Sequence, residues 1–546
     1  MHLKHTELAS ERFLYKNRNG MNLGIHTGDL ASFISFQKAN MIEPNDSVII
    51  DERVSYVDGV GRQDLQEAYR TYERLKSNSR QIDFDDMLLY LYKKLKNDST
   101  FRAKLNSAYS HILVDEFQDT SKIVIDIIKM INNENVYVVG DFRQSIYAFN
   151  NADVNNILNF SEEFEDVTLI ELNKNFRSTQ NIVELSNKII DCSPIEKYKN
   201  FKHSESVSEI GKPIEFTMYQ DDMNEFSSIA NMIQEYSNNG VKLKEIAILV
   251  RTNAQTALIE TMLADRDIPY EVSKSLSFFD RKEVLDILSY VRLAMDEDDD
   301  ASFRRVYNSP NRFLSKESLE KLDEFASSRD ISLMEACKIT PQNADWKFKK
   351  NIEGLIAIIE DLKYQVQYDV NAGKVLRNAI KLSKYENFIN DNAQNPTTAT
   401  EKLDAINKLC EIGAKFPSPN ALMAHISKIK DKQEKSKGKD SVQISTIHSA
   451  KGLEYDIVFV PSCVEGLLPH EMSEIEEERR LFYVACSRPR KELYVSWFAY
   501  DSELNKVKHG LFVEELLGED KVLAMNKEVF RGCYSSTSQV TIENNH

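Results

Sequence analysis

Short apolar runs rich in β-branched residues recur along the chain. They are "HILV" at 111 to 114, "VYVV" at 136 to 139, "VTLIEL" at 167 to 172, "IAILV" at 246 to 250, "VQIST" at 442 to 446, "IVFV" at 457 to 460 and "LYVSW" at 493 to 497. Segments with apolar residues at helical spacing lie between them, such as "SKIVIDIIKMI" and "TQNIVELSNKII". This alternation predicts an α/β fold built on parallel sheets. The runs from 111 to 172 form one group; those at 246 to 250 and 442 to 497 form a second. Between about 283 and 436, helical patterns follow one another from "EVLDILSYVRLAM" to "TEKLDAINKLCEIGAKF". No strand-like run interrupts them, which predicts an all-helical insertion into the second α/β domain. A shorter helical block, 28 to 105, precedes the first sheet, and the polar tail from Tyr534 is expected to fray.

Composition narrows the class. A chain of 546 residues exceeds what one hydrophobic core serves, so several domains are expected. The N-terminal "MHLKHTELASERF" lacks a signal-peptide pattern, and no run of 18 apolar residues occurs. A soluble, cytoplasmic protein with no membrane partner is the expectation. Six cysteines without a CxxC pair suggest neither a disulfide framework nor a zinc site. A net charge of −17 excludes coating of nucleic acid by bulk attraction but leaves room for a local basic groove. The spaced lysines of "KIKDKQEKSKGKD" fit such a groove or, more simply, an exposed linker.

Candidate chemistry gathers at the strand ends. "HILVDEFQDT", 111 to 120, runs from a buried strand into Asp115 and Glu116. An acid there can hold Mg²⁺ through water while the next polarises an attacking water, although a strand followed by a capped helix gives the same letters. "GDFRQSIYAFNNA", 140 to 152, offers the Gln144 amide to a phosphate, and Tyr147 and Phe149 either to stacked bases or to a core. "LNKNFRSTQNI" places Phe176 and Arg177 just before a helix, where the arginine faces a phosphate or a surface ion pair. "EEERRLFYVACSRPRKELYV" holds Arg479, Arg480, Arg488 and Arg490, candidates for a guanidinium facing a phosphate from a neighbouring domain.

Taken in order, "IDFDDMLLY", "ILVDEFQDT", "VVGDFRQSIYAFNNA", "LNKNFRSTQNI", "TIHSAKGLEYDIVFV" and "EEERRLFYVACSRPRKEL" resemble the UvrD/Rep/PcrA family of superfamily 1 DNA helicases, from about Ser32 to about Leu517. The resemblance implies two RecA-like domains of P-loop NTPase type with helical 1B and 2B insertions. It divides the chain into a partial 1B-like region at 1–85, the rest of the first RecA-like domain at 86–175, the second at 176–282 and 437–517, a 2B-like insertion at 283–436 and a tail at 518–546. It implies ATP-driven 3′ to 5′ movement on single-stranded DNA or at a single-strand/duplex junction, with ATP and Mg²⁺ as cofactors. By similarity Asp115 holds Mg²⁺ and Glu116 is the catalytic base. Gln144, Arg177 and Arg488 contact the γ-phosphate, Phe176 stacks on adenine, and Glu454 binds the ribose. Phe149, with Tyr147 and His448 nearby, lies on the DNA track.

One family element is missing. The phosphate loop GxxxxGK[ST] needs Gly ahead of a GK pair, yet the pairs at Lys212, Lys374 and Lys439 have Ser206, Tyr368 and Gln433 there. The first RecA-like domain is therefore expected to be incomplete. Three readings follow: a helicase component completed by a separate polypeptide that carries the loop, a DNA-binding or regulatory protein without ATPase activity, or a truncated remnant.

Overall fold

The acidic stretch at 83 to 86 opens a helix by a reciprocal cap. The Asp83 carboxylate accepts the Asp86 amide at 2.8 Å, and Asp86 accepts the Asp83 amide at 3.0 Å, which starts Phe84–Asn97. The computed structural model describes residues 27–50, 60–131, 135–272, 277–339, 346–392, 396–471, 473–501, 505–531 and 537–542. Its contacts divide the chain into two units. The first comprises Met1–Ile210, Asn392–Thr398 and Pro469–Ser487; the second comprises Gly211–Asp391, Ala399–Leu468 and Arg488–His546.

In the first unit, the helices Thr27–Ala39, Arg62–Asn78 and Phe84–Asn97 are joined by a buried ionic network. Lys38 meets Glu73 at 2.8 Å, Asp83 at 2.5 Å and Asp86 at 2.8 Å. Lys76 meets Glu73 at 2.7 Å, Asp83 at 3.0 Å and Asp86 at 2.5 Å, and the Tyr72 hydroxyl donates to Asp83 at 2.9 Å. Burial alone would raise the Asp83 pKa, but the two ammonium groups outweigh it and hold this carboxyl below its ordinary range.

β1 (Ile112–Val114) and β2 (Val136–Val138) pair in parallel. Ile112, Val114, Val136 and Val138 pack on a core of Phe117, Ile125 and Ile128. The alternate residues face the other way, with Leu113 74% and Tyr137 58% exposed. Parallel sheets are normally covered on both faces; among the described residues, one face of this sheet is left open. The run at 167 to 172, expected to be a strand, is not one: Leu169, Ile170 and Leu172 stand exposed, and no described strand pairs with them. A strand needs a hydrogen-bonding neighbour, and propensity alone does not supply it. Pairing resumes only at β3 (Lys174–Asn175), parallel to β4 (Glu205–Ser206).

The second unit is built on a seven-stranded sheet. Its strands are β5 (Ile214–Asp221), β6 (Ile246–Val250), β7 (Tyr270–Val272), β8 (Val442–Thr446), β9 (Tyr455–Val460), β10 (Pro489–Tyr500) and β11 (Thr537–Ile542), in the order β11-β5-β10-β9-β6-β8-β7. All pairings are parallel except that of β11 with β5. All of "IAILV" in β6 is buried, as expected of a central strand covered on both faces. β11 corrects the expectation of a frayed tail: Thr537–Ile542 gains a full antiparallel ladder on β5. Helices from Lys282–Met295 to Pro419–Ser436 fill the sequence between β7 and β8, as the periodicity predicts. The lysine run lies largely on the last of these helices and is paired: Lys428 with Asp265, Lys430 with Asp280, Lys432 with Asp267. That pairing favours a neutralised helix face over a basic groove.

Glu225 lies fully buried in this unit, accepting from the Ser462 amide and hydroxyl at 2.9 Å each and from the Ser496 hydroxyl at 2.6 Å. Burial pushes its pKa up to about 7, against the opposing effect of those donors. A carboxyl raised in the folded state stabilises most below its unfolded pKa, and that contribution is lost as pH rises through the folded value. Between about pH 5 and pH 8, Glu225→Gln should therefore gain denaturant resistance relative to the parent. A difference in urea midpoint that stays constant across that range contradicts this assignment.

Candidate nucleotide and nucleic-acid site

β1 delivers Asp115 and Glu116, both exposed. The Asp115 carboxylate accepts the Glu116 amide at 2.9 Å. Glu116 has φ 50° and ψ 44°, a left-handed conformation that costs a non-glycine residue about 1–3 kcal/mol unless its surroundings hold it. Two bonds hold it here: the Phe117 amide donates to the Val139 carbonyl at 3.0 Å, and Gln118 Nε2 donates to the Glu116 carboxylate at 2.5 Å. The chain thus turns sharply off the strand end with both carboxylates facing solvent.

β2 delivers the second loop. Asp141 caps the short 3₁₀ turn Phe142–Gln144, accepting from the Arg143 amide at 3.0 Å and from Gln144 Nε2 at 3.0 Å. Beyond it, Tyr147 and Phe149 meet edge to face with centroids 5.8 Å apart. Phe149 is 66% exposed, so it is not a core residue. Burial, reinforced by the charges of Asp119 and Glu116, raises the Tyr147 hydroxyl above its ordinary value. The aromatic pair and the acidic pair therefore share one neighbourhood in the first unit.

Phe176 is 77% exposed, just past β3. Arg177 is held by the Asn175 side chain, which accepts the Arg177 amide at 2.9 Å, and its guanidinium donates to the Ser487 carbonyl at 3.4 Å. In the second unit, Arg488 is buried, donating to the Leu453 carbonyl at 3.4 Å, and exposed Glu454 meets Arg490 at 3.4 Å. His448 is half-buried, and burial with the nearby Arg251 charge pushes its pKa down to about 4, so it is neutral at pH 7.

The four arginines of the last motif thus divide. Arg479 pairs with Glu476 at 3.0 Å, and Arg480 donates to the Ser145 carbonyl at 2.7 Å, both buried in the first unit. Arg490 is taken up by Asp456 and Glu245 as well as Glu454. The residues passed over in the sequence are Gln118, Ser145 and Glu477, which with Arg480 tie the two loops to the helix Ile475–Cys486. For Gln118 the available signal was a carboxamide as the first polar residue after the acidic pair.

For a magnesium nucleotide the donor set fits in part. Mg²⁺ is typically held by one or two carboxylates, water and substrate phosphates, and an exposed Asp115 at a parallel strand's C-terminal end suits that role. The amides and lysine of a GxxxxGK[ST] phosphate cradle do not occur in these 546 residues.

Two family models match the sequence: the UvrD/REP helicase N-terminal domain over residues 3–165 and the UvrD-like helicase C-terminal domain over residues 170–500. ATP-dependent DNA helicase PcrA of Bacillus subtilis (strain 168) is 31% identical over 518 residues, covering 90% of this chain and 68% of that protein. ATP-dependent DNA helicase Rep of Buchnera aphidicola subsp. Acyrthosiphon pisum is 30% identical over 494 residues, 86% of this chain and 75% of that protein. DNA helicase II of Escherichia coli (strain K12) is 30% identical over 454 residues, 80% and 62% respectively. Among the described residues, no helix is long and apolar enough to cross a membrane.

Proposed function

Because the chain belongs to the UvrD/Rep/PcrA-type DNA helicase family, we propose that it is the ATP-hydrolysing component of a translocase on single-stranded DNA, moving 3′ to 5′. Asp115 positions the Mg²⁺ of bound ATP, and Glu116 takes the proton of the attacking water. Gln144, Arg177 and Arg488 neutralise charge on the transferring phosphoryl group, since catalysis here is mostly positioning and electrostatics. Phe176 stacks on adenine, Glu454 holds the ribose, and Phe149, Tyr147 and His448 line the DNA path. The domain boundaries given above belong to the same proposal. The observation that carries it is that the Gln118 side chain joins Glu116 to Asp141, whose carboxylate holds Gln144, within one unit.

We propose that the phosphate cradle comes from residues outside these 546, carried on a separate polypeptide with strand, GxxxxGK[ST] and helix. Among the described residues, the open face of β1 and β2 and the exposed run at 167 to 172, which no described strand pairs with, support that assignment, because a further parallel strand would pair at an edge and its helix would cover the face. The missing loop equally favours a second reading, a DNA-binding or regulatory protein that does not hydrolyse ATP. DNA-stimulated ATP turnover by the assembly purified around this chain separates the two.

Both readings share a DNA prediction. Phe149→Ala should weaken binding of a dT oligonucleotide roughly 5- to 150-fold, the loss of about 1–3 kcal/mol from one stacked base, and affinity should fall as salt rises. Unchanged affinity in that variant removes Phe149 from the DNA path.

A further inference from the structure

The Gln118 side chain is fully buried, and each of its polar groups is committed. Nε2 donates to Glu116 Oε2 at 2.5 Å, Oε1 accepts the Asp141 amide at 2.9 Å, and the Gln118 carbonyl accepts the Ser145 hydroxyl at 3.2 Å. Asp141 in turn accepts from Gln144, so one residue separates the Gln118 amide from the proposed phosphate sensor. The backbone at Gly140 is shaped for this contact. A Cβ there would lie 2.4 Å from Gln118 Oε1 and 2.9 Å from Ile157 Cδ1, so any side chain at 140 would force the amide away.

The network continues past the loop. The Ser145 carbonyl accepts Arg480 Nε at 2.7 Å, Arg480 Nη1 donates to the Tyr198 hydroxyl at 2.8 Å, and the Ala148 amide donates to Glu477 at 3.1 Å. The helix Ile475–Cys486, which supplies Glu477 and Arg480, therefore grips the loop at two points between Gln144 and Phe149.

We propose that Gln118 is a positioning residue for hydrolysis: its amide fixes the Glu116 carboxylate and registers it against the Gln144 loop, which Arg480 and Glu477 anchor to the helix Ile475–Cys486. A carboxamide suits this place because it donates to an anion and accepts from a backbone amide at once. The inference rests on the ATP-hydrolysing reading, with Glu116 as base.

The test uses Gln118→Met, which keeps the side-chain length and removes both hydrogen bonds, and Gln118→Glu, which sets a second carboxylate beside Glu116. In the purified chain, amide exchange at Asp141 should accelerate at least about tenfold in Gln118→Met, because its acceptor is gone. In the assembly that turns over ATP, Gln118→Met should lower kcat about tenfold or more with KM for ATP within about twofold, since misplacing a base costs the chemical step rather than binding. Gln118→Glu, which as a carboxylate no longer donates to Glu116, should lower kcat likewise. Unchanged Asp141 exchange, or faster exchange with unchanged kcat, overturns the proposal. If the parent assembly turns over no ATP, the functional reading falls. Exchange then decides the tie alone, with faster Asp141 exchange upholding it and unchanged exchange overturning it.

Discussion

Glu116→Gln lowers DNA-stimulated ATP turnover of the completed assembly by about 10²–10⁴-fold, the contribution of a positioned general base, with KM for ATP little changed. The substitution is clean for structural reasons. A glutamine oxygen still accepts from Gln118 Nε2, and glutamine occupies the left-handed conformation at position 116 at much the same cost as glutamate. The loop geometry therefore survives while the proton acceptor is lost. Steady-state kinetics at saturating oligonucleotide check this. A variant that retains turnover within threefold of the parent assigns the base elsewhere.

The second large effect is on stability. Lys38→Met should destabilise the helical part of the first unit by about 3–5 kcal/mol at pH 7, the usual cost of leaving a buried charge without its partner. Lys38 is 1% exposed and meets three carboxylates, Glu73, Asp83 and Asp86. Lys76 then remains as one cation among three anions. Asp83→Asn in the Lys38→Met background should recover part of the loss, since it removes one of the uncompensated charges. Acid acts in the same direction. The lowered Asp83 pKa means that its stabilising contribution is present above the unfolded carboxyl pKa and lost as pH falls towards the folded one. The gap between parent and variant should therefore narrow in acid. Hydrogen exchange across 62 to 97, read at two pH values, measures both effects. Equal exchange in parent and variant at pH 7 contradicts the network's role.

Periodicity made much of this molecule legible. The runs at 111, 136, 246, 442, 457 and 493 became β1, β2, β6, β8, β9 and β10, because buried parallel strands announce themselves by continuous β-branched letters. β5 and β11 were passed over. β5, "IEFTMYQD", mixes polar residues into its alternation, and β11, "TSQVTI", is a short run inside a polar tail that its ladder on β5 holds. The run at 167 to 172 failed in the opposite sense, having strand letters without a strand beside it.

At the site, the motifs announced Asp115, Glu116 and Gln144, but not the amide that joins them. Gln118 reads as one more polar residue after a strand; only the fold buries it and brings Asp141 against it. Arg480 was legible as a cation but not as an anchor, since its partner, the Ser145 carbonyl, lies far away in sequence and carries no side-chain signature. Hydrogen bonds to distant backbone are the part of a site that sequence pattern least reveals.

In the proposed function, Asp115 and Glu116 are the hydrolytic acids, Phe149 lies on the DNA path and the phosphate cradle is supplied by residues outside this sequence. The most direct measurement is DNA-stimulated ATP turnover, run on the pure chain and on the assembly it forms when pulled from its native cell extract, with the co-purifying polypeptides identified by mass spectrometry. Negligible turnover is expected of the pure chain. Turnover is expected of an assembly containing a GxxxxGK[ST] polypeptide, lost on Glu116→Gln in this chain and on replacing the lysine of that motif in its partner. Turnover by the pure chain that Glu116→Gln abolishes would contradict the borrowed cradle. An assembly that binds DNA and never hydrolyses ATP would contradict the enzyme.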